Sequence, residues 1–401
     1  MNIGTALNKK YIPYTTVMIA SLCINNKCHV DAYLFNSELE GSDLEKMGKA
    51  LSSFDVTLHS IVVDKKNFNE KMPRSEQWSL EAYYRLFMFE LLSDTVERML
   101  YLDGDIVVNK DISMFYDSSF DGADMVVCDD KSGLNKPESY GNKHREMFAD
   151  AYKKGFRYFN SGVLLINVKD MRKRYSFDTY LEAMKKWNYE MEAPDQDILN
   201  FLHWERVKYA DCKVYDLFAR VAHNQNKTYS DVKENVAIIH YTGYKPWESG
   251  NFHFDIEKIW WEYAKEMPFF KELLDSFVID VVSDRKVADY IRSVEKERNE
   301  KKKLLSKVLG TLEKIMGGSS KEMDKEKEPI FVSEIDKSSW NGGYIYPSSG
   351  EYIKSIDKEK FLDDILSNDN AENYVLSLYD EIDEIDKALQ KANGIIAFLQ
   401  V

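Results

Sequence analysis

Asp103 and Asp105 stand on either side of Gly104, directly after the apolar run Arg98–Tyr101. Two carboxylates in such a turn can both reach one hard divalent cation, Mg2+ or Mn2+, whose remaining positions phosphate oxygens fill. The alternative is an acidic turn capping Ile112, and so short a motif recurs by chance in an acidic chain. A second group, His240-Tyr-Thr-Gly243-Tyr-Lys245-Pro246-Trp247, follows the apolar run Val236–Ile239. A neutral imidazole there adds a nitrogen ligand and shifts the preference from Mg2+ toward Mn2+. Gly243 lets the backbone come close to a phosphate, Lys245 places an ammonium beside it, and Pro246 and Trp247 stiffen the turn. A lone histidine after a strand is more often a buried structural residue. Gly243 and Lys245 on the same loop favour the ligand.

Two polar clusters could hold a sugar. Asn160 and Ser161, before Gly162 and the run Val163–Asn167, could hydrogen-bond hydroxyls; the alternative is a turn with a left-handed Asn or Gly. Asp195 and Gln196 open a helix, where Asp195 is a natural N-cap, yet a carboxylate and an amide there could also grip hydroxyls. The chain contains no Gly-x-x-x-x-Gly-Lys, Gly-x-Gly-x-x-Gly or Gly-x-Ser-x-Gly pattern. That weighs against P-loop hydrolysis, dinucleotide redox chemistry and serine hydrolysis.

The elements that must position these groups alternate. Strands are expected at Asn2–Ala6, Val30–Asn36, Val56–Val63, Arg98–Tyr101, Asp124–Cys128, Gly162–Asn167, Val207–Tyr209 and Val236–His240. Helices are expected at Thr15–Asn25, Asp43–Ser52, Trp78–Leu92, Phe177–Trp187 and Asp195–Trp204. Continuous apolar runs such as Val163–Ile166 suit a sheet covered on both faces. Alternation implies an α/β fold with a mostly parallel sheet, whose ligands collect beyond the carboxyl ends of its strands.

The 401 residues carry 54 Lys and Arg against 68 Asp and Glu, a net charge of −14. That balance argues against nucleic acid as a partner. No apolar run reaches the roughly 18–20 residues that span a bilayer. The first residues lack the order of a signal peptide, and the four cysteines form no framework, so a cytoplasmic location is expected. Beyond residue 270 the character changes. Nine basic against four acidic residues crowd Arg285–Lys307, and Leu304, Leu305, Val308, Leu309, Leu312 and Ile315 recur at helical spacing. The expected division is a catalytic domain at 1–270 and a helical accessory domain at 271–401, with a flexible segment near 317–328. The basic stretch could instead lie on a membrane surface; the apolar stripe, which needs a covering partner, favours the accessory domain.

Taken together, Tyr101-Leu-Asp103-Gly-Asp105, Phe159-Asn160-Ser161-Gly162-Val-Leu-Leu-Ile-Asn167, Asp195-Gln196-Asp197-Ile-Leu-Asn200 and His240-x-x-Gly243-x-Lys245-Pro246-Trp247 resemble, in order and spacing, glycosyltransferase family 8. These are retaining galactosyl- and glucosyltransferases of the GT-A fold, a Rossmann-like, mostly parallel mixed sheet flanked by helices. The resemblance covers about residues 1–265. It implies that Asp103, Asp105 and His240 bind Mn2+, with Mg2+ as the substitute, and that Gly243 and Lys245 contact the diphosphate of a UDP-hexose. It places Ala6 and Asn8 against uridine, with Tyr11 stacked on the base. It sets Arg85, Asp129 or Asp130, Asn160, Asp195 and Gln196 around the donor hexose, with Gln196 beneath the anomeric carbon.

One departure is Leu7-Asn8-Lys9-Lys10 after the first strand, where the family often has acidic residues; the Asn8 amide oxygen could still accept from uracil N3–H. The long tail is similar to those of bacterial members that build glycans on serine-rich surface adhesins. The activity implied is transfer of galactose or glucose, with the α anomer retained, to a saccharide or glycosylated-protein hydroxyl. Same-face attack is favoured, with Asp195 as the alternative nucleophile. The rival readings are a non-catalytic sugar-nucleotide scaffold and a metal-dependent nucleotidyltransferase.

Overall fold

The computed structural model describes residues 1–68, 72, 80–133, 136–248, 254–283 and 285–316, with 377, 378, 380–383, 385 and 386 beyond them. The segment 317–328, the helix expected at Phe361–Leu366 and most of that expected at Tyr374–Phe398 lie outside the described residues. The chain divides into two compact units, Met1–Ile279 and Asp280–Val401.

In the first unit the strands are β1 (Asn2–Ala6), β2 (Val30–Asn36), β3 (Val56–Val62), β4 (Met99–Leu102), β5 (Ile106–Val108), β6 (Met125–Asp129), β7 (Phe159–Ile166), β8 (Val207–Tyr209), β9 (Leu217–Phe218) and β10 (Ile238–His240). Seven of them form one sheet in the order β3-β2-β1-β4-β7-β6-β8, and β5, β10 and β9 form a second, smaller one. In the large sheet only β7 runs against its neighbours, pairing antiparallel with β4 and β6. The sheet is therefore mixed and mostly parallel, as the alternating elements require. The crossovers from β1 to β2 and from β2 to β3 carry the helices Ile12–Asn25 and Gly41–Ala50.

The apolar runs are continuous because both faces of the sheet are covered. On β4, Leu100 and Leu102 face one core, and Met99 and Tyr101 face the other. On β7, Val163 and Leu165 join the first core, while Leu164 and Ile166 join the second. Buried side chains of this size each contribute roughly 1.5–3 kcal/mol. The first core also takes in Val107, Ile239, Trp260 and the helix Ile12–Asn25, so it anchors the small sheet beneath the carboxyl end of β4.

The structure corrects several sequence-based boundaries. β4 lies one residue further on than expected, which makes Asp103 the first residue past the strand. β7 begins at Phe159, so Asn160 and Gly162 are strand residues and not a left-handed turn. The single helix expected at Trp78–Leu92 is, where described, a 3-10 turn over Leu80–Leu86 and a short α-helix at Met88–Leu91. Every residue from Tyr83 to Phe89 is buried, and a one-sided amphipathic helix cannot bury seven in a row. Asp195 is not an N-cap: its helix runs Pro194–His203, with Ala193 at the cap position. Ile112 gives its N–H to Asn26 at 2.9 Å, so the aspartates do not cap it.

In the second unit, Arg285–Met316 forms one 32-residue helix. Leu305 and Val308 are buried, as are Leu378 and Ile382. Arg298 Nε meets Asp386 Oδ1 at 2.5 Å, Lys302 Nζ lies 3.6 Å from Asp386 Oδ2, and Lys301 pairs with Glu381. The acidic segment near 381–386 thus neutralises part of the basic stretch. No described helix is long and apolar enough to cross a membrane.

Candidate active site

The turn after β4 is pinned from both sides. The Asp103 amide donates to the Gly162 carbonyl at 3.0 Å, and the Asp105 carbonyl accepts from the Tyr241 amide at 3.0 Å. β7 and the end of β10 therefore fix where the two carboxylates point. A Cβ on Gly104 would lie 2.8 Å from Thr15 Oγ1 and 3.2 Å from the Tyr11 ring, so any larger residue must push these side chains aside.

His240 ends β10, which is antiparallel to β5 so that His240 faces Ile106, just past the turn. Its Nε2 lies 3.2 Å from Asp105 Oδ1 and 4.0 Å from Asp103 Oδ2. One ligand atom from each of Asp103, Asp105 and His240 falls within 4.8 Å of the other two. Two carboxylate oxygens and an imidazole nitrogen suit Mn2+, or Mg2+ with less regard for the nitrogen. The donor set fits the cation that the sequence implies.

Positive charge frames the cluster. Lys245 donates to Asp105 and, at 3.0 Å, to the Tyr241 carbonyl. Burial pushes the Asp105 carboxyl up, but Lys245 and His240 outweigh it and hold it well below the usual carboxylate range. Burial likewise lowers the His240 imidazole, and Asp105 and Asp216 overcome that, raising it to about 10. Gly243, on the loop to Lys245, has φ of +78°, which a side chain would strain.

Opposite, the buried Arg85 guanidinium lies 2.9 Å from Asp103 Oδ1 and 3.2 Å from Asp195 Oδ2, and donates to the Ser161 carbonyl and hydroxyl at 2.7 and 3.0 Å. The Tyr101 hydroxyl donates to Asp103 at 2.8 Å. Burial raises the Asp195 carboxyl, although Arg85 opposes it. Gln196 Oε1 accepts from the Asn160 amide at 3.0 Å and from the Ser161 backbone N–H at 2.9 Å. Ser161 Oγ donates to Asp195 Oδ2 at 3.1 Å. Through Arg85, the second and third motifs thus form one hydrogen-bonded floor that meets the cation cluster at Asp103.

The remaining expected residues each have partners of their own. Ala6 ends β1, opposite Phe35 on β2. The Asn8 amide oxygen accepts from the Tyr11 N–H at 3.2 Å and caps the turn Lys9–Tyr11. Tyr11 packs edge-on to Tyr14 and Trp247, at 5.6 and 6.4 Å between ring centres. Asp129 is held by Arg157, with Nε at 2.9 Å from Oδ1, and Asp130 accepts from the Tyr140 hydroxyl at 2.8 Å. Sequence reasoning missed Arg157, Tyr140 and, above all, Asp216, whose Oδ1 lies 2.9 Å from His240 Nδ1. Burial raises the Asp216 carboxyl to about 6 against the pull of His240, and the charges of Asp130 and Asp103 add to the rise. No motif marks these residues; each is found through the partner it touches.

Comparison with known proteins gives a consistent picture. The model of the family described as "Glycosyl transferase family 8" matches residues 2–250. A lipopolysaccharide 1,2-glucosyltransferase of Escherichia coli K12 is 28% identical over 255 residues, which cover 62% of this chain and 72% of that one. Glycosyltransferase GlyB of Streptococcus pneumoniae is also 28% identical, over 63% of this chain and 59% of its own. Among solved structures, the galactosyltransferase LgtC in complex with donor and acceptor sugar analogues superposes with a TM-score of 0.55 at 23% identity, covering 67% of this chain and 96% of LgtC. That likeness establishes the GT-A fold. A family match that spans every motif built into the floor and the cation cluster leaves one assignment: the chain belongs to glycosyltransferase family 8.

Proposed function

We propose that this glycosyltransferase moves galactose or glucose from a UDP-sugar to a hydroxyl of a saccharide or glycosylated protein, Mn2+-dependently and with formation of an α linkage. The observation that carries the reading is the convergence of Asp103, Asp105 and His240 between Lys245 on one side and the Arg85–Asp195–Gln196 floor on the other. Mn2+ held by those three residues would supply Lewis acidity toward the diphosphate. Gly243 and Lys245 contact the diphosphate, and the Lys245 ammonium stabilises the charge that develops on UDP as it departs, commonly the largest catalytic contribution. Ala6, Asn8 and Tyr11 seat the uridine. Because the Asn8 oxygen already caps a turn, Tyr11 carries more of that contact than Asn8. Arg85, Asn160, Asp195, Gln196 and one of Asp129 and Asp130 surround the hexose.

Retention through a covalent intermediate needs an unencumbered nucleophile near the anomeric carbon. Gln196 Oε1 is engaged by two N–H donors, and Asp195 by Arg85 and Ser161. Both engagements favour same-face attack, in which the departing diphosphate takes the acceptor's proton. The second unit, with its basic helix partly neutralised by Asp386 and Glu381, fits an accessory domain better than a membrane-surface anchor. The test is a screen of UDP-hexoses for hydrolysis with Mn2+, read as UDP release. UDP release from one hexose donor, abolished by EDTA, is the expected result. Release of pyrophosphate, or no UDP from any donor or acceptor, would overturn the proposal.

A further inference from the structure

Asp216 lies outside every motif. It follows the short helix Cys212–Tyr215 and precedes β9, a strand of only two residues, Leu217 and Phe218. β9 pairs parallel with β10, setting Phe218 opposite His240. The Phe218 ring meets the imidazole edge-on at 5.4 Å and 88°. The fully buried Asp216 carboxylate lies 2.9 Å from Nδ1. Backbone of Gly162 closes the Cε1 edge, since a Cβ there would come within 2.4 Å. The imidazole is thus walled along Nδ1, Cε1 and the Phe218 side, while Nε2 points at Asp105 and Asp103.

A carboxylate on Nδ1 keeps the proton on that nitrogen, so the lone pair of a neutral ring is on Nε2. It also makes the ring a better donor toward a cation and removes the rotamer that would turn Nε2 away. We propose that Asp216 is a positioning residue of the cation site, acting through His240: it selects the tautomer and orientation in which Nε2 ligates the divalent cation. This inference rests on the reading of Asp103, Asp105 and His240 as the cation cluster.

The experiment is a double-mutant cycle read by Mn2+ binding alone, with free Mn2+ counted by electron paramagnetic resonance on full-length protein. Asp216→Ala should weaken Mn2+ binding about 10–100-fold. Asp216→Asn, whose amide oxygen can still accept from Nδ1–H, should fall between Asp216→Ala and the parent. In a His240→Ala background, Asp216→Asn should change Mn2+ affinity no further. A purely structural carboxylate would instead give additive losses in the two backgrounds, and that result would overturn the proposal. So would an Asp216→Ala protein that binds Mn2+ within about twofold of the parent. Failure of the parent itself to bind Mn2+ would remove the cluster reading first, and this inference with it. If Asp216→Ala does not fold, the cycle with Asp216→Asn alone decides the matter.

Discussion

The backbone of Gly162 is the surface against which the imidazole of His240 rests, so close that a Cβ at position 162 would sit 2.4 Å from Cε1. The same Cβ would meet Asp103 Oδ2 at 2.7 Å and Asn160 Oδ1 at 2.9 Å. Three side chains from three elements converge on a hydrogen atom's worth of space.

Gly162→Ala must therefore displace His240, Asp103 or both. Neither yields freely, because His240 is held by Asp216 and Asp103 by Arg85 and Tyr101. A misplacement of about 1 Å at such a site costs on the order of 100-fold in rate. The variant should stay folded, lose at least that much in kcat/KM, and need higher Mn2+ for half-maximal turnover. Normal turnover at the parent's Mn2+ requirement would refute the packing argument.

Arg85 joins three of the family motifs by contacting Asp103, Ser161 and Asp195 together. Its burial lowers the guanidinium pKa, but Asp103 and the other acidic neighbours outweigh that and keep it firmly charged. Arg85→Met would leave Asp195 buried without its cation, a situation that costs about 3–5 kcal/mol. Arg85→Lys should recover only part of this, since one ammonium cannot span both carboxylates and the Ser161 carbonyl. Urea unfolding at neutral pH measures both variants. A loss below about 1 kcal/mol for Arg85→Met, the scale of an exposed pair, would show that the bridge is not buried in solution.

Much of this arrangement is legible in the sequence, and the illegible part has a physical pattern. Asp103, His240 and Asn160 stand beside apolar runs that period and composition reveal, so their place at strand ends follows. Asp216 stands beside a two-residue strand, too short to leave any periodicity. Arg85 is reached only through the family resemblance, because its run of seven successive buried residues reads as a helix until the core on every side is known. Tyr140 and Arg157 act through Asp130 and Asp129, and nothing in their own neighbourhoods signals a partner. Sequence marks the groups that face a ligand, whereas the groups that hold them are set by tertiary packing.

Asp124 shows the same rule away from the site. Fully buried just before β6, it takes the Tyr175 hydroxyl at 2.7 Å, His203 Nδ1 at 2.9 Å and Arg206 Nε at 3.1 Å, and pairs with Arg174. Burial pushes its carboxyl up, but His203, Tyr175 and Arg206 prevail and bring it to about 2. A carboxyl whose folded pKa lies below its unfolded value adds stability above the unfolded value of 3.8, lost as pH falls toward 2. The contribution is at most about 2.5 kcal/mol. Unfolding midpoints in urea from pH 5 to pH 2.5 should fall more steeply for the parent than for Asp124→Asn. Parallel curves would mean the aspartate is not ionised in the folded chain.

Asn160 offers the sharpest separation of chemistry from binding. Its Oδ1 accepts from the Gly162 N–H at 2.8 Å, so its Nδ2 is committed as the donor to Gln196 Oε1. Asn160→Asp keeps the shape and the acceptor but replaces that donor with a second carboxylate oxygen facing an amide oxygen. Repulsion should turn the Gln196 amide over, at the further cost of the hydrogen bond from the Ser161 N–H. The diphosphate contacts proposed for Gly243 and Lys245 would be untouched, so the KM for the donor should change little while kcat falls on the order of 100-fold. Asn160→Asp combined with Gln196→Glu would set two carboxylates against each other and should fall further, whereas Asn160→Asp with Gln196→Ala should be no worse than Gln196→Ala alone. An Asn160→Asp enzyme with kcat unchanged, or one whose defect lies wholly in KM, would show that Gln196 needs no orientation from residue 160.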